Sequence, residues 1–120
     1  MHAKEDVDRL AMEFEQCRKI LVALGDENRQ HMILEMIKIG DCRGVRVNQI
    51  TEKTHLSRPA VSHHLRILKD AGILKMRREA TKNYYYFDPD MKSFELLTDF
   101  LQRAISITSA LPDRSQRDKD

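Results

Sequence analysis

The stretch LSRPAVSHHLRILKDAGILK, residues 56–75, predicts a helix whose two faces need different surroundings. Apolar residues recur every three or four positions, the spacing that aligns side chains on one side of a helix. This inner face consists of Val61, Leu65 and Leu68, with Ala71 close by. The outer face carries Arg58, Ser62, Arg66 and Lys69, with His63 beside Ser62. One side of the helix is therefore expected to enter a core, and the other to meet a charged partner.

The ends of this helix are also encoded locally. Ser57 can cap the first turn, where Pro59 is tolerated because N–H groups there have no intrahelical partner. Gly72 supplies a left-handed stop, so a helix is predicted from Ser57 to Ala71. A shorter helix around Val47–Lys53 precedes it, joined by the turn THLS. A short helix, a tight turn and a second capped helix predict a helix-turn-helix motif.

Two β-prone runs follow, ILKMRRE and YYYFD, and the intervening ATKN predicts a hairpin. Asn83 can adopt a positive φ, but the run contains no glycine, so the sequence leaves the turn type open. In the second strand Tyr84 and Tyr86 share one face, whereas Tyr85 and Phe87 share the face expected to join the core.

The hairpin is basic. Its cations are Arg77, Arg78 and Lys82. A basic hairpin directly after a helix-turn-helix is a wing, placed to contact the DNA backbone or minor groove. The predicted fold class is therefore mainly α, a winged helix-turn-helix with a two-stranded β-wing and N- and C-terminal dimerisation helices.

The two outer helices carry more apolar surface than a small winged core requires. The first has a stripe made of Val7, Leu10, Phe14, Cys17, Leu21 and Leu24. The last, from about residue 90 to 111, has a stripe made of Phe94, Leu97, Leu101, Ala104, Thr108 and Leu111. Left exposed, both together would exceed the apolar patch usual for a monomer. We expect a two-fold partner to cover it; the alternative is that each stripe covers the other within one protomer. The expected dimer contacts are Leu10, Phe14, Cys17, Phe94, Leu97, Leu101 and Ala104.

Charge is unevenly distributed along the 120 residues. The net charge is +2, yet residues 55–84 hold 7 Lys/Arg against 2 Asp/Glu, net +5, between mildly acidic flanks. Such a block is typical of a surface that meets phosphate. We therefore expect the outer face of the helix and the wing to bind double-stranded DNA, with His64 nearer the inner face as a packing or hydrogen-bonding residue. The expected DNA-binding residues are Ser57, Arg58, Pro59, Ser62, His63, Arg66, Arg77, Arg78, Lys82 and Tyr84. The alternative from another class is a winged helix used only for protein contacts.

Three segments together resemble the ArsR/SmtB family of bacterial winged-helix repressors: ALGDENRQHMILEMI, VNQITEKTHLSRPAVSHHLRILKDAGILK and RREATKNYYYFD. The resemblance covers roughly residues 20–90, and its most specific part is L-S-x-x-x-V-S-x-H-L at 56–65. It implies a homodimeric repressor that binds a palindromic operator overlapping a promoter. It also implies that Arg58, Ser62 and His63 occupy DNA-contact positions.

The departures from the family pattern concern metal sensing. Many members sense thiophilic metals through a Cys-x-Cys motif where this chain has Arg46 and Asn48. A second common site needs histidine in the C-terminal helix, which here contains none. The wing-tip glycine is replaced by Ala80. No metal site or cofactor is therefore expected, and the inducing ligand stays unidentified. No membrane partner is expected either, because no apolar run is long enough to span a bilayer.

Two cysteines leave a thiol-redox or metal-responsive repressor open as the alternative within the class. Cys17 falls in an apolar stripe, which favours a small buried hydrophobe. Cys42 falls in a polar loop beside Arg43, where exposure and positive charge favour the reactive thiolate. No nucleophile–base pair, phosphate loop or carboxylate dyad is evident, so an enzyme is not expected.

The remaining expectations concern organisation. The chain is predicted to form one winged-helix domain over residues 1–111, with a polar, disordered tail over 112–120. Two cysteines are too few for a disulfide framework, and neither a signal peptide nor an apolar span is evident, so a cytoplasmic location is expected.

Overall fold

A computed structural model describes residues 4–111. Over this range the chain forms five helices and one two-stranded antiparallel sheet, which confirms the predicted mainly α winged helix-turn-helix. The elements are α1 (Lys4–Leu24), α2 (Glu27–Ile39), α3 (Val47–Thr54), α4 (Arg58–Asp70), β1 (Leu74–Glu79), β2 (Lys82–Phe87) and α5 (Lys92–Ser109). Pro112 and the predicted tail lie outside the described residues. None of the helices within 4–111 is long and apolar enough to cross a membrane.

Local capping explains where the central helices begin and end. Asp26 precedes α2 in an extended conformation, and its carboxylate accepts a hydrogen bond from the Arg29 N–H at 3.1 Å. Gly40 ends α2 with φ of 65°, a left-handed conformation that glycine adopts at little cost. Ser57 caps α4 by accepting from the Ala60 N–H at 3.2 Å. Ser57 therefore caps α4 as the sequence predicted, and Asp26 and Gly40 bound α2 through equally local contacts.

The core lies where α2, α3, α4 and the sheet meet. Its fully buried side chains include Met32, Ile50, Val61, Leu65, Leu68, Ile73 and Leu74. Tyr85 and Phe87 pack against this core, as their face of β2 predicted. Val45 adds an isolated bridge to Tyr85, which joins the α2–α3 loop to the wing. The predicted inner face of the recognition helix α4 is therefore confirmed.

The wing turn differs from the expectation. β1 pairs with β2 from Leu74↔Phe87 to Glu79↔Lys82, which leaves only Ala80 and Thr81 in the loop. Asn83 lies inside β2, and the residue with positive φ is Ala80, at 54°. Composition alone could not locate the turn, because pairing across the strands decided which two residues closed it.

The outer helices α1 and α5 pack against each other within the protomer. The Phe14 and Phe100 rings meet edge to face with centroids 4.9 Å apart, and Glu13 pairs with Arg103. The Cys17 thiol is completely buried and donates to the Leu96 carbonyl at 3.6 Å. The expectation that Cys17 contacts a partner subunit is therefore wrong, because α5 of the same chain covers it.

Candidate nucleic-acid interface

The outer face of α4 is an exposed, largely cationic surface. Arg58, Pro59, His63, Arg66 and Lys69 are exposed, and Ser62 is half-buried. Within residues 4–111 the side chains of Arg58, Arg66 and Lys69 have no hydrogen-bond or ion-pair partner. Long cationic side chains with no internal partner are available to phosphates and base edges.

The C-terminal end of α4 is fixed by close contacts to α5. Gly72 has φ of 79°, and a Cβ at this position would lie 2.7 Å from the Ser93 hydroxyl oxygen. That hydroxyl donates to the Ala71 carbonyl at 2.8 Å in a buried environment. Only glycine satisfies both the backbone conformation and the space, so the predicted stop at Gly72 is confirmed.

The middle of α4 is tied to α2 by a contact that the sequence did not predict. His64 Nδ1 lies 3.1 Å from Nη1 of Arg29, which is only 8% exposed. Burial lowers the pKa of His64, the positive charges of Arg29 and His63 lower it further, and Asp26 opposes them. His64 is thus a hydrogen-bonding residue, as expected. The burial of Arg29 could have been predicted from its spacing in the sequence, because with Met32 and Met36 it shares the buried face of α2.

The wing contains cations in two different situations. Arg77 donates to the Arg43 carbonyl at 2.7 Å, and its guanidinium lies 5.0 Å from the centroid of the Tyr84 ring. Its Nε is also 3.4 Å from a Glu79 carboxylate oxygen. Arg77 and Tyr84, both expected to bind DNA, are therefore engaged in building the wing.

The other two wing cations are Arg78, on the side of β1 opposite Arg77, and Lys82, the first residue of β2. Arg78 is exposed and donates through Nε to the Ala80 carbonyl at 3.2 Å. Lys82 is exposed and, over residues 4–111, has no internal partner. Of the three basic side chains of the wing, Arg77 therefore makes the most internal contacts and Lys82 the fewest.

The positions of the family's Cys-x-Cys motif lie beside a polar cavity between α3 and the wing. Arg46 and Asn48 line it together with Arg43, Gln49 and Arg77, and its volume is about 740 Å³. Guanidinium groups have no lone pair to give and repel a cation. In the part of the chain that the structure describes, no group of three or more His, Cys, Asp or Glu side chains is placed to hold a metal ion.

The two cysteines occupy opposite environments. Burial, reinforced by the charge of Glu13, raises the pKa of the Cys17 thiol, which disfavours the reactive thiolate. Cys42 is exposed at the edge of an apolar cavity of about 370 Å³, whose walls include Met36, Tyr85 and Phe87. Of the two, only Cys42 is open to an oxidant from solution.

The fold combines a short helix, a turn, a capped recognition helix and a basic wing. This combination defines the class of the protein as a winged helix-turn-helix DNA-binding protein. The model of the family described as "Bacterial regulatory protein, arsR family" matches residues 31–75. The chain is 38% identical over 89 residues to the uncharacterised HTH-type transcriptional regulator MJ1325 of Methanocaldococcus jannaschii, across 73% of this chain and 97% of that protein. The chain therefore belongs to the ArsR family of transcriptional regulators, as its resemblance indicated.

Further relatives agree with this assignment. The transcriptional repressor SdpR of Bacillus subtilis is 35% identical over 66 residues, which cover 55% of this chain and 69% of SdpR. The crystal structure of the ArsR family transcriptional regulator RHA00566 superposes with a TM-score of 0.67 at 17% identity, over 82% of this chain and 95% of that one. The winged helix-turn-helix DNA-binding domain of Mb0332 from Mycobacterium bovis, described as homodimeric, gives 0.59 at 20% identity, over 88% and 94%. These structures share the fold, and the family consists of transcription regulators.

Proposed function

We propose that this protein is a homodimeric transcriptional repressor that binds a palindromic operator and uses neither of the common metal sites of its family. The observation that carries the proposal is the outer face of α4, where exposed cations stand without internal partners. Repression is the activity named for SdpR, and homodimer formation is described for Mb0332. Occupying a promoter excludes polymerase without further chemistry. We expect this regulator to act in the cytoplasm.

The proposed DNA surface combines the outer face of α4 with the tip of the wing. The N-terminal turn of α4 supplies short polar groups for base edges, while more distant cations meet phosphates. We assign Arg77 and Tyr84 to wing structure, since their side chains contact each other and the α2–α3 loop. The proposed DNA-contacting residues are Ser57, Arg58, Pro59, Ser62, His63, Arg66, Arg78 and Lys82.

The proposed dimer surface lies on the outer sides of α1 and α5. Packing of the two helices leaves Phe14 53% exposed, Leu101 47% and Ile105 66%. Phe94 and Leu97, by contrast, pack partly against the protomer's own core. The protomer measures 63 × 31 × 22 Å, much more elongated than a compact domain of this length. The same face of a second copy can cover an apolar face on a protruding helix pair. In such a dimer Phe14, Leu101 and Ile105 lie at the centre of the interface, with Leu10 and Ala104 beside them.

A two-fold partner would also set the spacing of the recognition helices. Dimeric helix-turn-helix proteins place two such helices about 34 Å apart, one turn of DNA. Leu101→Asp should give a monomer. Its affinity for a palindrome selected from random duplexes should fall at least tenfold, because each monomer then binds one half-site by itself. Sedimentation velocity at micromolar concentration gives the assembly state, and titration of a labelled duplex gives the affinity.

Leu34→Asp is the matched control, because Leu34 is 55% exposed on α2, away from the proposed dimer surface. It should leave both assembly and affinity unchanged. A parent protein that sediments as a monomer and still binds the palindrome tightly would contradict the dimer. Binding to random duplexes that does not weaken with salt would contradict DNA binding itself and favour the protein-contact alternative.

A further inference from the structure

The buried guanidinium of Arg29 joins three elements of the fold. Its Nε donates to the Ala23 carbonyl at 2.8 Å and its Nη2 to the Val22 carbonyl at 3.1 Å, both in the last turn of α1. Its Nη1 lies 3.1 Å from Nδ1 of His64 on the recognition helix. A guanidinium can only donate, so Nδ1 must accept. The geometry requires His64 to be neutral, with its proton on Nε2.

The hydrogen bonds from Arg29 to the α1 carbonyls supply a positive charge that the last turn of α1 lacks. The last carbonyls of a helix lack intrahelical partners and carry partial negative charge, which a cation stabilises. The last turn of α1 contains no basic residue, and Arg29 of the following helix supplies one. The carboxylate of Asp26, which interacts with the charge of Arg29, accepts a hydrogen bond from the backbone N–H of Arg29. The guanidinium is therefore held by α1 carbonyls and His64.

The two ends of the contact belong to the two functional surfaces. α1 contributes Phe14 to the proposed dimer surface, and His64 directly follows Ser62 and His63, which lie on the outer side of α4. We propose that Arg29 is a positioning residue, which fixes the recognition helix relative to α1 through neutral His64 and so maintains the DNA-binding orientation. This role rests on the proposed function, because orientation matters only if two helices read one operator.

The contact should make operator binding sensitive to acid. The charged or titratable groups acting on His64 are Asp26, which precedes α2, Arg29 of α2 and His63 of α4. Protonating His64 removes the acceptor and places two cations 3.1 Å apart. Because the pKa of His64 is lowered from 6.5 in the folded protein, the unfolded chain binds more protons in acid. As pH falls below about 6.5, the protein should therefore become less stable, and a smaller fraction of it should hold the recognition helix in the DNA-binding orientation.

The matched pair His64→Asn and His64→Gln tests this role most sharply. The Asn side-chain oxygen lies near the position of Nδ1 and can accept from Arg29 without being protonated, whereas the longer Gln side chain places its oxygen elsewhere. Both variants leave Arg29 on the α1 carbonyls. We expect His64→Asn to retain operator affinity within about threefold, and His64→Gln to lose about tenfold, the effect of one charge-assisted hydrogen bond.

A second arm measures pH dependence between pH 5 and 8, in a His63→Ala background because His63 is expected to meet DNA. Affinity should fall in acid with His64 present and become flat with His64→Asn. Ring ¹⁵N NMR of the unbound protein should show the Nε2–H tautomer of His64 in the parent and its loss in Arg29→Met. Arg29→Lys, which keeps the charge without the fork of donors, should bind more weakly than the parent.

Equal affinities for His64→Asn and His64→Gln, with a parent that binds the operator, would overturn the positioning role and leave the proposed function standing. An acid response that persists in His64→Asn would overturn it as well. A parent protein without any affinity for duplex DNA would remove the proposed function and this role together.

Discussion

The recognition helix and the wing each carry several basic residues in the sequence. In the structure they differ in how many of these side chains have hydrogen-bond or ion-pair partners. Along the outer face of α4, Arg58, Arg66 and Lys69 are unpaired within residues 4–111. In β1 the adjacent residues Arg77 and Arg78 point to opposite sides of the sheet, since strand side chains alternate. Arg77 is consequently engaged by the α2–α3 loop, Glu79 and Tyr84. Counting basic residues therefore overestimates the number of cations without internal partners more in this strand than in this helix.

The largest effect should come from the N-terminal half of α4. Arg58→Ala and His63→Ala should each weaken operator binding by ~1–3 kcal/mol and relax base preference, because these exposed side chains can reach base edges. Titrations against the operator and single-base variants of it measure both quantities. Lys69→Ala at the far end of the same face is the control, and should weaken all sequences equally. Parent-like binding by Arg58→Ala and His63→Ala would show that this face does not read DNA.

The wing should show a smaller effect that does not depend on sequence. Lys82→Ala and Arg78→Ala should each reduce the slope of log affinity against log salt by about one, the loss of one phosphate contact. Arg77→Ala is the matched control on the other side of β1. It should lower the melting temperature of the protein while leaving the salt slope unchanged. A slope reduced by Arg77→Ala and not by Arg78→Ala would reverse the assignment of the two sides of β1.

Helix ends and buried faces were predictable from sequence because their causes are local. Ser57, Asp26 and Gly40 each act on the backbone within one helical turn, so composition at one position suffices. Assignment of α4 as the DNA-reading helix followed from periodicity and charge, and it stays a prediction.

Contacts between distant elements were not predictable in the same way. An apolar stripe specifies that Cys17 is covered, but not whether α5 or a second copy covers it. Likewise the spacing of Arg29 marks it as buried, while its contact with His64 depends on how α2 crosses α4. The wing turn belongs to this group too, because strand register placed Ala80 and not Asn83 in the left-handed region.

The smallest expected effect concerns that turn. Ala80 has φ of 54°, where a side chain costs ~1–2 kcal/mol, whereas glycine loses ~0.5–1 kcal/mol more backbone entropy on folding. Ala80→Gly should therefore stabilise the protein by about 0.5–1 kcal/mol, with operator affinity unchanged within about twofold, because no proposed DNA contact is altered. Thermal and urea unfolding measure the stability. Thr81→Gly is the control: Thr81 is not among the positive-φ residues of the described chain, so glycine there adds only the entropic cost and should destabilise. If both variants destabilise the protein equally, the left-handed conformation of Ala80 is unstrained.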